Sequence, residues 1–445
     1  MDGPRRSKVA VAHRLPDDAL VEILSCLPAK FLCRFKCVSR SWCDLIADRL
    51  GCKNLPQTLE GFLYFNREDH DGGDGEGGRC GGDEGNGDGD VRELTLSSRK
   101  ILHRRGYAHF INLLGKSVPL LDRSFSFVKK QRDIKVRRIA LLDSCNGLLL
   151  FGNRRVSDTY DSLGYIVCNP ATEQSVAVPS SGWTPSPPQG SEDALESDVR
   201  SFLIFDPAVS LDFQLVQFWQ DGIREDVEGV HTYSSETGLW SDRSSEWKRG
   251  EEGGEWEQWG HDGHIIKPID GRSFVNGMLH FLVYQIQTEK FVIVAVDGQG
   301  KTCKIIPWPM EYLFPDPAFI GQSQGRLLCI SGLGKQKAEG HDVQFTGLSI
   351  WALEDYDTEQ WVQKHNVSFL QLFGRISCEV RIDYDVVAIS SDRNLVFFVQ
   401  HWNRKLISYD MDSKEVCALR TLGHGYPCIT LYVPSFKSLA LAYKH

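Results

Sequence analysis

Residues 165–179 read YIVCNPATEQSVAVP: a strand-forming run, a cluster of turn residues from Asn169 to Glu173, and a second run that resumes the alternation. Such spelling marks a tight antiparallel hairpin, because β-branched and aromatic side chains suit a pleated surface while Asn, Pro, Thr and Glu punctuate it. The pattern returns at 229–242 (GVHTYSSETGLWSD), 291–309 (FVIVAVDGQGKTCKIIPWP), 348–367 (LSIWALEDYDTEQWVQKHNV) and 405–422 (KLISYDMDSKEVCALRTL). Taking Asn169, Ser234, Asp297, Glu354 and Met411 as equivalent positions gives steps of 65, 63, 57 and 57 residues. A loose period of this size is the signature of a repeated supersecondary unit.

Ahead of most hairpins lies another strand pair, as in DSCNGLLLFGN at 143–153, FVNGMLHFLVYQ at 274–285, GQSQGRLLCISG at 321–332 and SSDRNLVFFVQH at 390–401. Two pairs make four strands per unit. Four-stranded units in series describe the blades of a β-propeller, in which each sheet buries both faces and ring closure hides the edges. The repeat is long for a propeller, so loops are inserted. PSSGWTPSPPQGSEDALESD at 179–198 and WKRGEEGGEWEQWGHDGH at 247–264 are the candidates. The expected fold is mainly β: a propeller of roughly six to seven blades over 53–445. Its C-terminal strands, within 427–445, complete a first blade begun near residue 59.

Residues 13–50, HRLPDDALVEILSCLPAKFLCRFKCVSRSWCDLIADRL, break the β pattern. Leu20, Ile23, Leu24 and Leu27 recur at i, i+3, i+4 and i+7, the stripe of a short helix. Asp17 and Asp18 at its start suit the helix dipole. Pro28 withholds an amide and ends it, so a second helix from about Ala29 carries Phe31, Leu32 and Phe35. Ser39 or Ser41 caps a third, with Trp42, Leu45, Ile46 and Leu50 at helical spacing. Fewer than about 40 residues rarely fold without a staple or a partner.

On these residues, Leu15-Pro16, Ile23-Leu24, Leu27-Pro28, Leu32, Val38 and Trp42, the segment 13–52 resembles the F-box, after an N-terminal tail of residues 1–12. F-boxes dock onto the Skp-family adaptor of cullin-RING ubiquitin ligases. The resemblance implies that Leu15, Pro16, Leu20, Ile23, Leu24, Leu27, Leu32, Val38 and Trp42 serve adaptor binding or the module's own small core. The repeat region, in LLDSCNGLLLF, CNPATEQSVAVP, FLIFDPAVSLDFQLVQFW, VHTYSSETGLW, NGMLHFLV and LSIWALEDYD, resembles the F-box-associated domain of the large plant F-box family. Together these imply a substrate-recognition subunit of a Skp–cullin–F-box ligase that bridges the adaptor to a target protein and itself catalyses nothing. A scaffold or transcription-associated factor outside the ligase is the alternative from another class, and a sugar-binding propeller is a third.

The net charge is −9, and residues 66–90 account for most of it: nine acids against Arg67 and Arg79, leaving −2 for the other 420 residues. No global basic field of the kind that binds nucleic acid remains. The same Asp/Gly-rich stretch reads as a disordered loop, and it lacks the terminal Glu of an EF-hand. The basic cluster 129–138 reads as a charged strand edge rather than an import signal. No window holds the 18 or so apolar residues of a membrane helix, and no signal-peptide core precedes the helices, so an intracellular protein of nucleus or cytoplasm is expected. Thirteen scattered cysteines without CxxC spacing read as reduced thiols.

Enzyme motifs fail on context. Gly321-Gln322-Ser323-Gln324-Gly325 spells a nucleophile elbow, yet RLLCISG follows where a helix is required. His261 and His264 have no third metal ligand at suitable spacing, and Gly334-Lys335 lacks the rest of a phosphate loop. Neither cofactor nor metal is expected. Of the eleven tryptophans, those in strands such as LSIWALE are expected to pack between blades. Trp183, Trp256 and Trp259, in the inserted loops, are the candidate target anchors.

Overall fold

The computed structural model describes residues 15–25, 35, 38–46, 61–65, 101–102, 108–112, 125, 128, 139–154, 163–182, 198–220, 227–242, 264–300, 303–309, 317–336, 343–391, 393–422, 429–433 and 435. The chain divides into two compact units, Met1–Thr58 and Leu59–His445.

In the first unit, helix α1 (Asp17–Ser25) opens with the Leu20 amide donating to the Pro16 carbonyl at 3.0 Å, and Asp17 and Asp18 occupy its first turn. Helix α2 (Arg40–Leu45) is capped by Ser39, whose hydroxyl accepts from the Trp42 amide at 3.2 Å. Val21, Leu24 and Ile46 form a small core, with Leu20, Phe35, Trp42 and Leu45 packed against it. Phe35 meets Trp42 edge to face at 5.5 Å. Leu20 and Leu24 of the expected stripe therefore point inward together with Val21, whereas Ile23 points out. The middle helix, apart from Phe35, lies outside the described residues, as do Leu27, Leu32 and Leu50.

The second unit is a β-propeller. Strands β1 (Gly61–Phe65), β2 (Ile101–Leu102) and β3 (Ala108–Asn112) precede five groups of four. These are β4–β7 (Ile139–Cys145, Leu148–Arg154, Leu163–Asn169, Gln174–Val178) and β8–β11 (Asp198–Ile204, Gln214–Gln220, Val227–Ser234, Leu239–Asp242). Next come β12–β15 (His264–Val275, Met278–Gln285, Lys290–Asp297, Cys303–Pro307) and β16–β19 (Pro317–Ser323, Arg326–Gln336, Val343–Asp355, Gln360–Ser368). After a short helix α3 (Phe369–Phe373), β20–β23 (Tyr384–Ile389, Leu395–Gln400, Lys405–Asp410, Val416–Thr421) form the fifth group, and β24 (Ile429–Tyr432) ends the series. Each group is an antiparallel meander. Gly271 and Ile320 make a single parallel bridge that joins the third and fourth groups. The sixth blade mixes the termini: β1 lies between β3 and β24, with Phe62 opposite Leu431.

The first strand of each group touches that of the next, and in the first group the two-residue β2 pairs along the edge of β4 away from β5. The series β4, β8, β12, β16, β20, β24 returns to β4, so the ring closes. Strand alternation then sends neighbouring side chains to opposite sides of a blade. On β21, Val396 and Phe398 enter the cluster shared with the preceding blade, while Phe397 and Val399 enter the one shared with the mixed-terminus blade. On β13, Leu279, Phe281 and Val283 face one way and Leu282 the other. The core is thus a set of interblade layers.

Two turn chemistries build the blades. The β4–β5, β12–β13 and β16–β17 turns are Asn146-Gly147, Asn276-Gly277 and Gln324-Gly325, all at positive φ, as a two-residue hairpin matched to strand twist requires. The longer turns begin on Asn169, Asp297, Asp355 and Asp410, whose side chains accept the amide two residues on at 2.8–3.0 Å. Four of the five positions that set the period, Asn169, Asp297, Glu354 and Met411, coincide with these to within one residue.

Candidate functional site

The helical unit exposes apolar side chains that a free module has no structural reason to expose. Leu15, Ile23 and Val38 are 58%, 53% and 62% exposed, and Pro16 is exposed beside them in sequence. Leu24 is 2% exposed and lies within the module's core, with Leu20 and Trp42 half-buried against it. A nine-residue helix with apolar side chains on two sides buries one against its own unit and leaves the other for something else. Of the nine residues named from the pattern, the structure separates four outward-facing, Leu15, Pro16, Ile23 and Val38, from three that hold the module together. Leu27 and Leu32 lie outside the described residues.

In the propeller, the direction of the strands sorts the loops. The connections from fourth strand to next first strand, and the turns from second to third, share one end of the ring. The ends of β7 and β11 and the starts of β8 and β12, which the inserted stretches 179–197 and 243–263 connect in sequence, lie at that end. Trp183, Trp256 and Trp259 fall in these stretches, outside the described residues. The described connection at the same end, from β19 to β20, carries Leu370, Ile376 and Ile382 at 63%, 74% and 69% exposure. Trp402, in the β21–β22 turn, joins them at 37% exposure. Its indole lies under the Arg375 guanidinium at 4.0 Å and edge-on to Phe373 at 5.9 Å, and Arg375 donates to Asp383 at 3.0 Å. His401 bonds to the Ile382 carbonyl at 2.9 Å and the Asp385 carboxylate at 3.1 Å. The Asp385 bond, ahead of the opposing effect of burial, holds the His401 pKa above the ordinary imidazole value.

The described tryptophans of the propeller do not behave as one set. Trp219 and Trp308 are core, whereas Trp351 is half-buried, and Trp402 is open enough to meet a partner. Trp402, in a turn at the blade's end, is thus an exposed tryptophan that the division into strands and inserted loops does not single out.

Around the axis, one buried ion pair ties three blades together. Arg272 of β12 donates from Nε to Asp143 Oδ1 of β4 at 2.6 Å, from one terminal nitrogen to the Leu203 carbonyl of β8 at 3.2 Å, and from the other to the Ser144 carbonyl. Asp143 also accepts the Leu203 amide at 2.7 Å and the Ser144 amide at 2.8 Å. Burial pushes the Asp143 carboxyl above its ordinary range, and the guanidinium with the two amides draws it back. No spacing rule pairs residues this far apart in the chain, so sequence reading missed them. Ser323, the centre of the GxSxG spelling, ends β16 without a following helix, and its hydroxyl donates to the Arg393 carbonyl at 3.1 Å.

A helical module with an unpartnered apolar face, followed by a closed β-propeller, defines a class: an F-box protein of the substrate-receptor type. Residues 13–53 match the F-box domain, and residues 97–430 match the model described as F-box protein At3g26010-like, β-propeller. The chain belongs to that family. It is 21% identical over 404 residues to F-box protein At5g07610 of Arabidopsis thaliana, a match covering 83% of this chain and 74% of that one. To F-box only protein 8 of Arabidopsis thaliana it is 41% identical over 61 residues, 13% of this chain and 21% of the relative's length. Among solved structures, a GH93 α-L-arabinofuranosidase of Fusarium graminearum in complex with arabinobiose aligns with TM-score 0.37 and 8% identity, covering 66% of this chain and 81% of that one.

Proposed function

We propose that the chain is the substrate-recognition subunit of a Skp–cullin–F-box ubiquitin ligase. The F-box docks on the Skp-family adaptor, the propeller holds a target protein, and transfer of ubiquitin proceeds by proximity, with no catalytic residue supplied by this chain. The observation that carries this reading is the outward apolar set Leu15, Pro16, Ile23 and Val38 on a module matched to the F-box. Apolar side chains left exposed on so small a module are available to a docking partner. Residues 13–52 and 53–445 are taken as the two functional parts. The target is assigned to the end of the ring that bears Trp402 and the inserted loops, with Trp183, Trp256 and Trp259 as further anchors.

The test is adaptor binding by full-length chain measured against the Leu15→Ala/Pro16→Ala double variant. The reading predicts a stable complex for the former and a severe loss for the latter at unchanged melting temperature. Equal binding by a chain starting at residue 53 contradicts it.

A further inference from the structure

The axis of the propeller contains a cavity of about 330 Å³, lined by residues of β4, β8, β12, β16, β20 and β24. The geometry points to this cavity as a binding site for an uncharged small molecule that joins an apolar ring or chain to carbonyl or hydroxyl oxygens. The inference is independent of adaptor binding.

Charge is the first argument. Among the described lining residues, Asp143 and Arg272 are the only charged side chains, and they neutralise each other. Each of the three guanidinium nitrogens is already engaged, with Asp143, Leu203 and Ser144. Both Asp143 oxygens are engaged as well. An ionised ligand would leave water for a site with no free counter-charge, which is costly.

Hydrogen-bond capacity is the second. The Gln322 carbonyl oxygen accepts from the Ser273 hydroxyl at 3.1 Å, which leaves the Gln322 amide nitrogen as the available donor. Ser144 and Thr430 share one hydroxyl–hydroxyl bond, so one of their two hydrogens is left over. These groups therefore offer two donors, the Gln322 amide and one hydroxyl hydrogen. A ligand that supplies neutral acceptors satisfies them, and donors left bare beside a bound apolar group would oppose binding.

The third argument is the rest of the wall. Leu142, 40% exposed, faces the cavity together with Phe274, Val387, Ile429 and Leu431. These apolar side chains share the lining with the polar groups named above, and the volume is at the lower end of the roughly 300–1,000 Å³ common for small-molecule pockets.

Acetanilide, which carries one carbonyl on a phenyl ring, is a suitable probe, and benzoate is its anionic counterpart. Binding to the full-length chain is measured by saturation-transfer NMR and by isothermal titration. Saturable binding of acetanilide is expected, with benzoate at least about tenfold weaker for lack of a counter-charge. Gln322→Leu removes the donor and Leu142→Trp fills the cavity from a partly exposed position; each is expected to weaken acetanilide binding by about tenfold or more. Leu142→Trp alone decides the matter if Gln322→Leu does not fold. Absence of saturable binding, binding that neither variant changes, or benzoate binding as tightly as acetanilide would overturn the assignment.

Discussion

Replacing Arg272 by Met removes the cation that ties β4, β8 and β12 together. The Asp143 side chain is 11% exposed and that of Arg272 14%, so the change leaves a carboxylate in a poorly solvated place. Breaking such a pair from one side costs about 3–5 kcal/mol. Asp143 keeps the Leu203 and Ser144 amides, which places Arg272→Met at the lower end, about 3 kcal/mol. Asp143→Leu instead strands a guanidinium against two carbonyls and orphans the Leu203 amide, so its cost lies at the upper end, about 5 kcal/mol. The double variant has no buried charge. Its residual penalty is the unpaired Leu203 and Ser144 amides, about 1–3 kcal/mol each, less than the sum of the single costs. Urea unfolding of the full-length chain, followed by both tryptophan fluorescence and far-ultraviolet circular dichroism, gives the three differences. A cost below about 1 kcal/mol for Arg272→Met, or strict additivity in the double variant, would refute the claim that this pair holds the blades.

Other outcomes follow from local geometry. Gly147 has φ +90°, and a Cβ there would sit 2.5 Å from the Val433 carbonyl and the Ser435 amide, so Gly147→Ala should lower the melting temperature clearly more than Gly277→Ala, which has φ +76° and open space. For His401, the folded pKa lies above the unfolded one, so its contribution is fully present below the unfolded value of about 6.5 and is lost as pH rises through the folded value. His401→Gln should erase that pH-dependent difference in melting temperature, a difference under about 1 kcal/mol because the pair is partly solvated. Deleting residues 66–90, which lack a run of apolar residues, should shift the melting temperature little, and a marked rise on adding calcium would show that reading wrong. Trp183→Ala, Trp256→Ala, Trp259→Ala and Trp402→Ala should keep adaptor binding and lose specific co-purified proteins, whereas Trp219→Ala, at 2% exposure, should cost about 3–5 kcal/mol in folding; an unchanged partner list would place the target elsewhere.

Much of the propeller is legible in the sequence because each blade announces itself locally. Asn146-Gly147 and Asn276-Gly277 encode the tight turns, and Asp297, Asp355 and Asp410 begin the longer ones. The contribution of β24 to the first blade is also legible, since the strands within 427–445 can complete a blade that begins near residue 59. Ile23 faces outward although it shares a stripe with the inward Leu20 and Leu24, because Leu20, Val21, Ile23 and Leu24 are all apolar and periodicity alone does not say which side meets the rest of the unit. Asp143 and Arg272 lay beyond reach for another reason: they are 129 positions apart, and only ring closure brings them together. The exposed patch at Leu370, Ile376, Ile382 and Trp402 was hidden by composition, which does not distinguish an apolar residue in a strand from one in the connection beside it.

The most direct test of the account is affinity purification of the full-length chain and its Ile23→Asp variant from cells with and without proteasome inhibition, read by mass spectrometry. Ile23 is 53% exposed, so the variant should fold normally. Wild type is predicted to recover a Skp-family adaptor and a cullin, together with a set of proteins whose abundance rises under inhibition; the variant is predicted to recover that set without adaptor or cullin. A wild-type chain that recovers neither adaptor nor cullin, or a variant that recovers both as well as wild type does, would contradict the account.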